Sequence, residues 1–252
     1  MKILILNDDG VAAEGLRTLA RSLSARHRVT VAAPMHQQSG TSHALTIGSA
    51  IEVRADETFD PAHDIEAWAI DGTPADCAKL YLDAVAEEQP DVVLSGINHG
   101  ANLGTDVIYS GTVGAAFEGI FHGIPSFALS LPEGSAISFA EAAAYFEPFM
   151  EKILTAYDQP FLLNINFPQR LADDTPQFMF CRQGGRDYVN AFERIEENGR
   201  VHYKVAGEIS DTDKGEGTDI HTVEHGYIAV TPLGVDMTDH SQLTCFDNEI
   251  WK

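Results

Sequence analysis

Apolar residues fill positions 3–6 without interruption and stop at Asn7-Asp8-Asp9-Gly10, so residues 2–6 read as a short buried strand and residues 7–10 as its exit loop. In GLRTLARSLSARH, Leu16, Leu19, Ala20 and Leu23 fall on one face of a helix. RVTVAAP returns to an apolar run and ends at Pro34. Strand, helix and strand in this order form a β-α-β unit, whose right-handed connection covers one face of a parallel sheet.

The alternation continues. DCAKLYLDAVAEEQ is helical in pattern, PDVVLSGINHG holds a buried strand, and SGTVGAAFEGIFHG reads as a helix beginning near Thr112. PSFALSL is another strand, followed by FAEAAAYFEPFMEKILTAY, a helix in which Pro148 predicts a kink or break. FLLNINFP is one more strand, stopped by Pro168. Residues 1–170 are therefore expected to form a three-layer α/β core, with its chemistry beyond the carboxyl ends of the strands.

Past residue 170 the texture changes. MFCRQGGRDYVNAFERIEENGRVHYKV holds two alternating or aromatic-rich runs separated by Glu-Asn-Gly, which predicts a hairpin turning at Asn198-Gly199. GYIAVTPLG is a further strand, and the Gly-, Asp- and Thr-rich stretch between the two reads as a loop. An isolated hairpin is marginally stable and needs a surface to pack on, so this section is expected to be a projecting arm that pairs subunits.

Composition narrows the function. The 252 residues, 44% hydrophobic, suffice for one large domain or a core with an appendage. Sixteen Lys plus Arg against 38 Asp plus Glu give a formal charge of -22, which repels nucleic acid and anionic membranes. A phosphorylated small substrate would then need local positive charge, which a bound divalent cation supplies. No segment approaches the roughly 20 apolar residues of a membrane span, and the N-terminus lacks a signal-peptide pattern, so a cytoplasmic protein is expected. Cys77, Cys181 and Cys245 are scattered and odd in number, as expected of reduced thiols.

Four polar clusters could carry chemistry. Asp8 and Asp9 are either a solvated loop or cap, or a pair of oxygen ligands for a hard cation such as Mg²⁺ or Mn²⁺. Gly10 after them suits a turn with unusual backbone angles. Gln37-Gln38-Ser39-Gly40-Thr41-Ser42 follows the next strand and is either a surface loop or a second wall of the same site, Ser39 offering an oxygen and the Gly40-Thr41 backbone an anion cradle. In SGINHGANLGTDVIYSGTVGAA, Asn98 and Asn102 can meet metal and phosphate without adding negative charge. Ser110, Gly111 and Thr112 can present hydroxyls and backbone N–H groups at a helix N-terminus, or can simply cap that helix. The spacings of a P-loop or a dinucleotide fingerprint are absent. Asp71, Gly72, Thr73, Pro74 and Asp76 form another strand-to-helix transition, with Thr73 as cap or as part of the pocket wall. His36, His43 and His99 lie near these clusters and could donate a proton to a leaving alkoxide.

Taken together, NDDG at residues 7–10, QSGTSHALT at 38–46, GTPADC at 72–77, SGINHGANLG at 95–104, YSGTVGAA at 109–116, LNINFP at 163–168, Thr218-Asp219 and GYIAVTPL at 226–233 resemble the SurE family of metal-dependent 5'-nucleotidases over nearly the whole chain. Met35 and His36 depart from what the family often carries before QSG, while Ser39 is retained. The resemblance implies Asp8, Asp9, Ser39 and Asn98 as ligands of one Mg²⁺ or Mn²⁺ per subunit, with Asp8, Asp9 and Asn98 counted as catalytic. Gly40, Thr41, Asn102, Ser110, Gly111 and Thr112 would hold the substrate. It implies a Rossmann-like core with a mostly parallel sheet, in a single domain over residues 1–252. Residues 171–252 would supply a strand-rich oligomerisation arm and a final core segment, and assembly would give a homodimer or homotetramer. The implied reaction is hydrolysis of nucleoside 5'-monophosphates, with 3'-monophosphates as a second substrate class and no polymeric nucleic-acid or membrane partner. Two alternatives compete: a nucleotide or sugar-phosphate sensor without turnover, and a phosphatase forming an aspartyl-phosphate. The adjacency of Asp8 and Asp9 fits paired metal ligands better than it fits the aspartates, one residue apart, of haloacid-dehalogenase-type phosphatases.

Overall fold

The computed structural model describes residues 1–249; residues 250–252, the end of the expected arm section, lie outside the described residues. Its centre is a nine-stranded sheet built from β1 (Lys2–Leu6), β2 (Arg28–Pro34), β3 (Val53–Ala55), β4 (Glu66–Ile70), β5 (Val92–His99), β6 (Ser126–Leu131), β7 (Leu162–Asn166), β8 (Phe178–Phe180) and β13 (Ile228–Leu233). The strand order is β3-β4-β2-β1-β5-β6-β7-β13-β8. From β4 to β7 every pairing is parallel, whereas β3 on β4 and β13 on β7 are antiparallel. The chain winds outward from β1 through β2 to β4, then returns to the other side of β1 at β5. That reversal leaves a crevice beyond the carboxyl ends of β1 and β5, the place where open α/β sheets bind ligands.

Side-chain alternation along β1 divides the core in two. Ile3 and Ile5 pack in one cluster with Leu16, Leu19 and Leu23 of α1 (Glu14–Ser24) and Ala143, Phe146 and Met150 of α4 (Phe139–Ala156). Leu4 and Leu6 pack on the opposite face with Cys77 and Ala78 of α2 (Pro74–Leu80) and Ala115 of α3 (Gly111–Phe121). The result is a mostly parallel sheet between two helical layers, as a Rossmann-like α/β core requires.

Three local expectations change. The helix expected to continue from Asp76 closes as α2 at Leu80 and widens into a π-helical turn over Tyr81–Val85. Pro148 neither ends nor splits α4, which runs unbroken through it. Pro148 and Ala144, whose carbonyl loses its helical donor, both lie on the exposed face, so water can take that carbonyl. The stretch read as a loop after residue 205 instead forms β12 (Glu208–Asp213) and α5 (Asp219–Glu224).

β12 pairs with β9 (Gly185–Val189), and β10 (Phe192–Glu197) pairs with β11 (Arg200–Val205), both antiparallel. An Ala206 N–H to Ala191 carbonyl bond of 2.9 Å joins the two ladders into one long ribbon. Its tip is Asn198-Gly199, with φ of 51° and 72°, the left-handed pair that a two-residue type I′ turn needs. The chain then returns to the core through α5 and β13 and ends in α6 (His240–Glu249). No helix among the described residues is long and apolar enough to cross a membrane.

Phe146 is fully buried and meets the ring of Phe127 edge-on at 5.3 Å, joining α4 to β6. Phe146→Ala should cost about 3–5 kcal/mol of stability in urea unfolding. A loss under 1 kcal/mol would mean that α4 is not integral to the core.

Candidate functional site

Asp8 and Asp9 follow β1 directly, where the strand ends and its neighbours' loops converge. Asp8 is 4% exposed and turned against the N-terminus of α3. One carboxylate oxygen accepts the Thr112 hydroxyl at 2.6 Å, and the other accepts the Thr112 backbone N–H at 3.2 Å. A side chain on Gly111 would bring its Cβ within 2.9 Å of the Asp8 Cβ, so glycine is what lets the helix start so close to the carboxylate. Gly10, at φ 96°, turns the chain away immediately afterwards.

Asp9 is less buried and points across the crevice. It accepts the backbone N–H of His99 at 3.1 Å and the side-chain amide of Gln37 at 3.4 Å. The same Gln37 amide lies 3.0 Å from the Ser39 hydroxyl, so Gln37 joins Asp9 in the loop after β1 to Ser39 in the loop after β2. On the other side, the β5 register shifts between Ser95 and Asn98, and the Gly96–Ile97 peptide is cis. Asn98 donates its amide to the Gly100 carbonyl at 2.8 Å, which commits its nitrogen and leaves Oδ1 as the atom suited to a metal.

Burial pushes Asp8 up to about 6, and the neighbouring charge of Asp9 adds to the effect against the lowering by the Thr112 bonds. Among the described residues no Lys, Arg or His forms an ion pair with either carboxylate. Two adjacent acids, one of them buried and lacking a basic partner, suit a cation held by oxygen atoms alone. The donor set of Asp8, Asp9, Ser39 and Asn98 fits that need.

The expected substrate residues divide. Ser110 caps α3 by accepting the Val113 N–H at 3.1 Å, which leaves its own hydroxyl proton to donate outward. The Gly111 N–H opens the first turn, where helix donors lack internal partners. Thr112 is committed to Asp8. Asn102 is 8% exposed and gives its amide to the Ser130 hydroxyl at 2.8 Å. Its backbone carbonyl accepts the side-chain amides of both Asn164 and Asn166. Gly40 lies in open space at the rim, and the Thr41 hydroxyl turns back onto the Gln38 carbonyl.

His43 sits away from the carboxylates. Its ring lies 2.6 Å from Glu118 and stacks near Phe117 and Phe121, so it anchors the loop to the flank of α3. His99 reaches Asp9 with its backbone and turns its ring toward Phe139. Two contributors were named in the sequence only as members of motifs, without a role of their own. Gln37 connects Asp9 with Ser39, and the buried Asp219 accepts the Gly104 N–H at 2.9 Å and the Gly184 N–H at 2.8 Å. The available signals were the polar cluster at residues 37–42 and the Thr218-Asp219 motif, neither of which shows a partner. At the far end of the sheet, His27, Glu147 and Glu151 are close enough together to coordinate a metal.

The fold and these strand-end loops define an α/β protein with a carboxylate site at its topological switch point. Residues 3–190 match the family model described as Survival protein SurE, and the chain belongs to the SurE family. A protein named 5'-nucleotidase SurE from Synechococcus elongatus is 42% identical, the alignment covering 98% of this chain and 99% of that protein. One of the same name from Nostoc sp. is 44% identical, with 94% of each covered. The crystal structure of the SurE protein from Aquifex aeolicus superposes with a TM-score of 0.81 at 36% identity, covering 98% of each chain.

The wall of the crevice depends on Asp76. Thr73 caps α2 by accepting the Asp76 N–H, and Asp76 accepts the Thr73 N–H at 2.9 Å and the Thr46 N–H and hydroxyl at 2.9 and 2.6 Å. Burial alone would raise Asp76, but these bonds outweigh it and hold the carboxyl below 3.8. Their contribution is complete above that value and is lost as pH falls through the depressed folded value. Asp76→Asn should cost about 1–2 kcal/mol near neutrality, and the gap should close under acid in urea titrations. A gap independent of pH would refute the role of the charge.

Proposed function

We propose that this chain is a 5'-nucleotidase, a divalent-metal-dependent hydrolase that converts nucleoside 5'-monophosphates to nucleoside and phosphate and accepts 3'-monophosphates as a second class. The observation that carries this reading is the Asp8-Asp9 pair, without an ion-paired basic partner among the described residues and set at the N-terminus of α3, in a chain of the SurE family.

Asp8, Asp9, Ser39 and Asn98 would hold one Mg²⁺ or Mn²⁺. When bound, the cation supplies charge for a phosphoryl oxygen and lowers the pKa of an attacking water. Thr112 fixes the rotamer of Asp8 through two bonds, and Gln37 fixes Asp9 relative to Ser39. The Ser110 hydroxyl and the Gly111 N–H would face the nonbridging oxygens at a helix N-terminus, where developing negative charge is favoured. Asn102 holds the loop that leads to them, while Gly40 and Thr41 close the opposite rim. Each further phosphate would add negative charge to a chain already at -22, which favours monophosphates.

Initial phosphate release should be fastest with 5'-monophosphates and slower with matched di- and triphosphates, and chelation should abolish it. Asp8→Asn and Asp9→Asn should each lower turnover by roughly 10²-fold or more while circular dichroism stays unchanged. A nucleotide sensor would bind the monophosphate and release no phosphate. Preference for triphosphates would overturn the substrate assignment.

The same reading makes residues 1–252 one domain, with residues 171–252 providing the assembly arm and a closing core segment. Phe192 faces Val205, and Arg194 faces Tyr203, across the ribbon. Phe192, Val201, Tyr203 and Val205 are exposed there, an apolar face suited to a second subunit in a homodimer or homotetramer. Phe192→Ser with Tyr203→Ser should reduce the mass measured by light scattering and leave the core folded. An unchanged mass would remove the ribbon from the interface.

A further inference from the structure

His27 follows α1 and immediately precedes β2, whereas Asp8 and Asp9 follow the far end of β1. The two strands are parallel and in register from Lys2 opposite Arg28, so the length of a strand, about 17 Å, separates His27 from the carboxylate site. The His27 side chain is 6% exposed, and neither ring nitrogen has a hydrogen-bond partner, an uncommon state for a buried polar group. Nε2 lies 3.2 Å from Glu147 and 3.7 Å from Glu151 without making a hydrogen bond to either. These acids lie one turn apart on the same face of α4. The three ligand atoms lie within 4.8 Å of one another.

We propose that His27, Glu147 and Glu151 form a second metal site, selective for Zn²⁺ over Mg²⁺, that ties the end of α1 to α4. One imidazole nitrogen with two carboxylate oxygens is a set that zinc accepts and magnesium disfavours, and a water completes a tetrahedron. The lone pair of Nε2 in the neutral ring would enter the coordination shell.

Arg26 is the resident competitor. Its guanidinium lies 2.8 Å from Glu147 and 3.2 Å from Glu151, but it is 55% exposed and can swing into water. Two carboxylates against one guanidinium leave a negative charge uncompensated, and Glu151, at 40% exposure, provides an entry path.

Zinc chloride alone, titrated calorimetrically into chelator-treated full-length protein, tests the proposal. Wild type should take up one equivalent more than His27→Gln or Glu151→Gln. At about a hundred times the Kd it should gain roughly 5–10 °C in Tm that both variants lack. Asp8→Asn with Asp9→Asn should retain that equivalent and that gain, which separates this site from the proposed catalytic one. Arg26→Ala should bind zinc more tightly than wild type. His27→Gln should keep full phosphate release with Mg²⁺ or Mn²⁺, so a failure of the nucleotidase reading would leave this result untouched. Equal zinc uptake and equal thermal gain in wild type, His27→Gln and Glu151→Gln would overturn the proposal and leave the cluster an ion-pair network only.

Discussion

Burying the Asp8 carboxylate beside Asp9 is the constraint around which the upper end of the sheet is arranged. A carboxylate at that depth is costly unless it is hydrogen-bonded and faces positive potential. The N-terminus of α3 provides both through the hydroxyl and backbone of Thr112. From that requirement follow the glycine at position 111, the cap at Ser110 and the path of the loop that delivers them.

That loop is itself held by polar groups. Between β5 and α3 the chain runs over a floor of Asn164, Asn166 and Ser130, whose side chains bond the backbone and amide of Asn102. Asp219, at the start of α5, takes the N–H of Gly104, and Gln183 donates to the Gly104 carbonyl at 2.7 Å. From the ribbon, Arg186 reaches both Asp106 and Asp211, and Tyr188 donates to Asp106 at 2.9 Å. A buried polar network of this kind favours one geometry, because most of its members find partners only there, although Asn164 Oδ1 has none. The C-terminal section is thus part of the support of the crevice, in addition to any role between subunits.

Much of this was legible in the chain. The largely apolar runs that became β1, β2, β5, β6 and β7 are what a sheet covered on both faces demands. The Asn-Gly turn follows from the two left-handed residues that a tight hairpin requires. β12 was not legible, because Glu208-Ile-Ser-Asp-Thr-Asp213 carries no apolar alternation and owes its pairing to backbone bonds and to Arg186 on Asp211. The π-helical turn at Tyr81 depends on packing against the sheet, and the continuity of α4 through Pro148 depends on which face meets water; periodicity reports neither. At the site, the acids and the Ser-Gly-Thr turn stood out by their position after strands. The bond between Asp8 and Thr112 spans 104 residues and could be read only from the folded chain.

The Gly104 to Asp219 bond spans 115 residues, and its acceptor comes long after the residues of the crevice in chain order. During synthesis Asp8, Asp9, Asn98 and Ser110 all emerge well before Asp219, and a domain generally folds as a unit. The loop leading to Ser110 therefore gains its last tether only when α5 and β13 arrive at the sheet. Contacts of such long range form late because the intervening chain must be ordered first. A ribosome-bound chain can carry every one of these side chains and still lack the rigid crevice that orients them, so the crevice matures only after residue 219 has emerged.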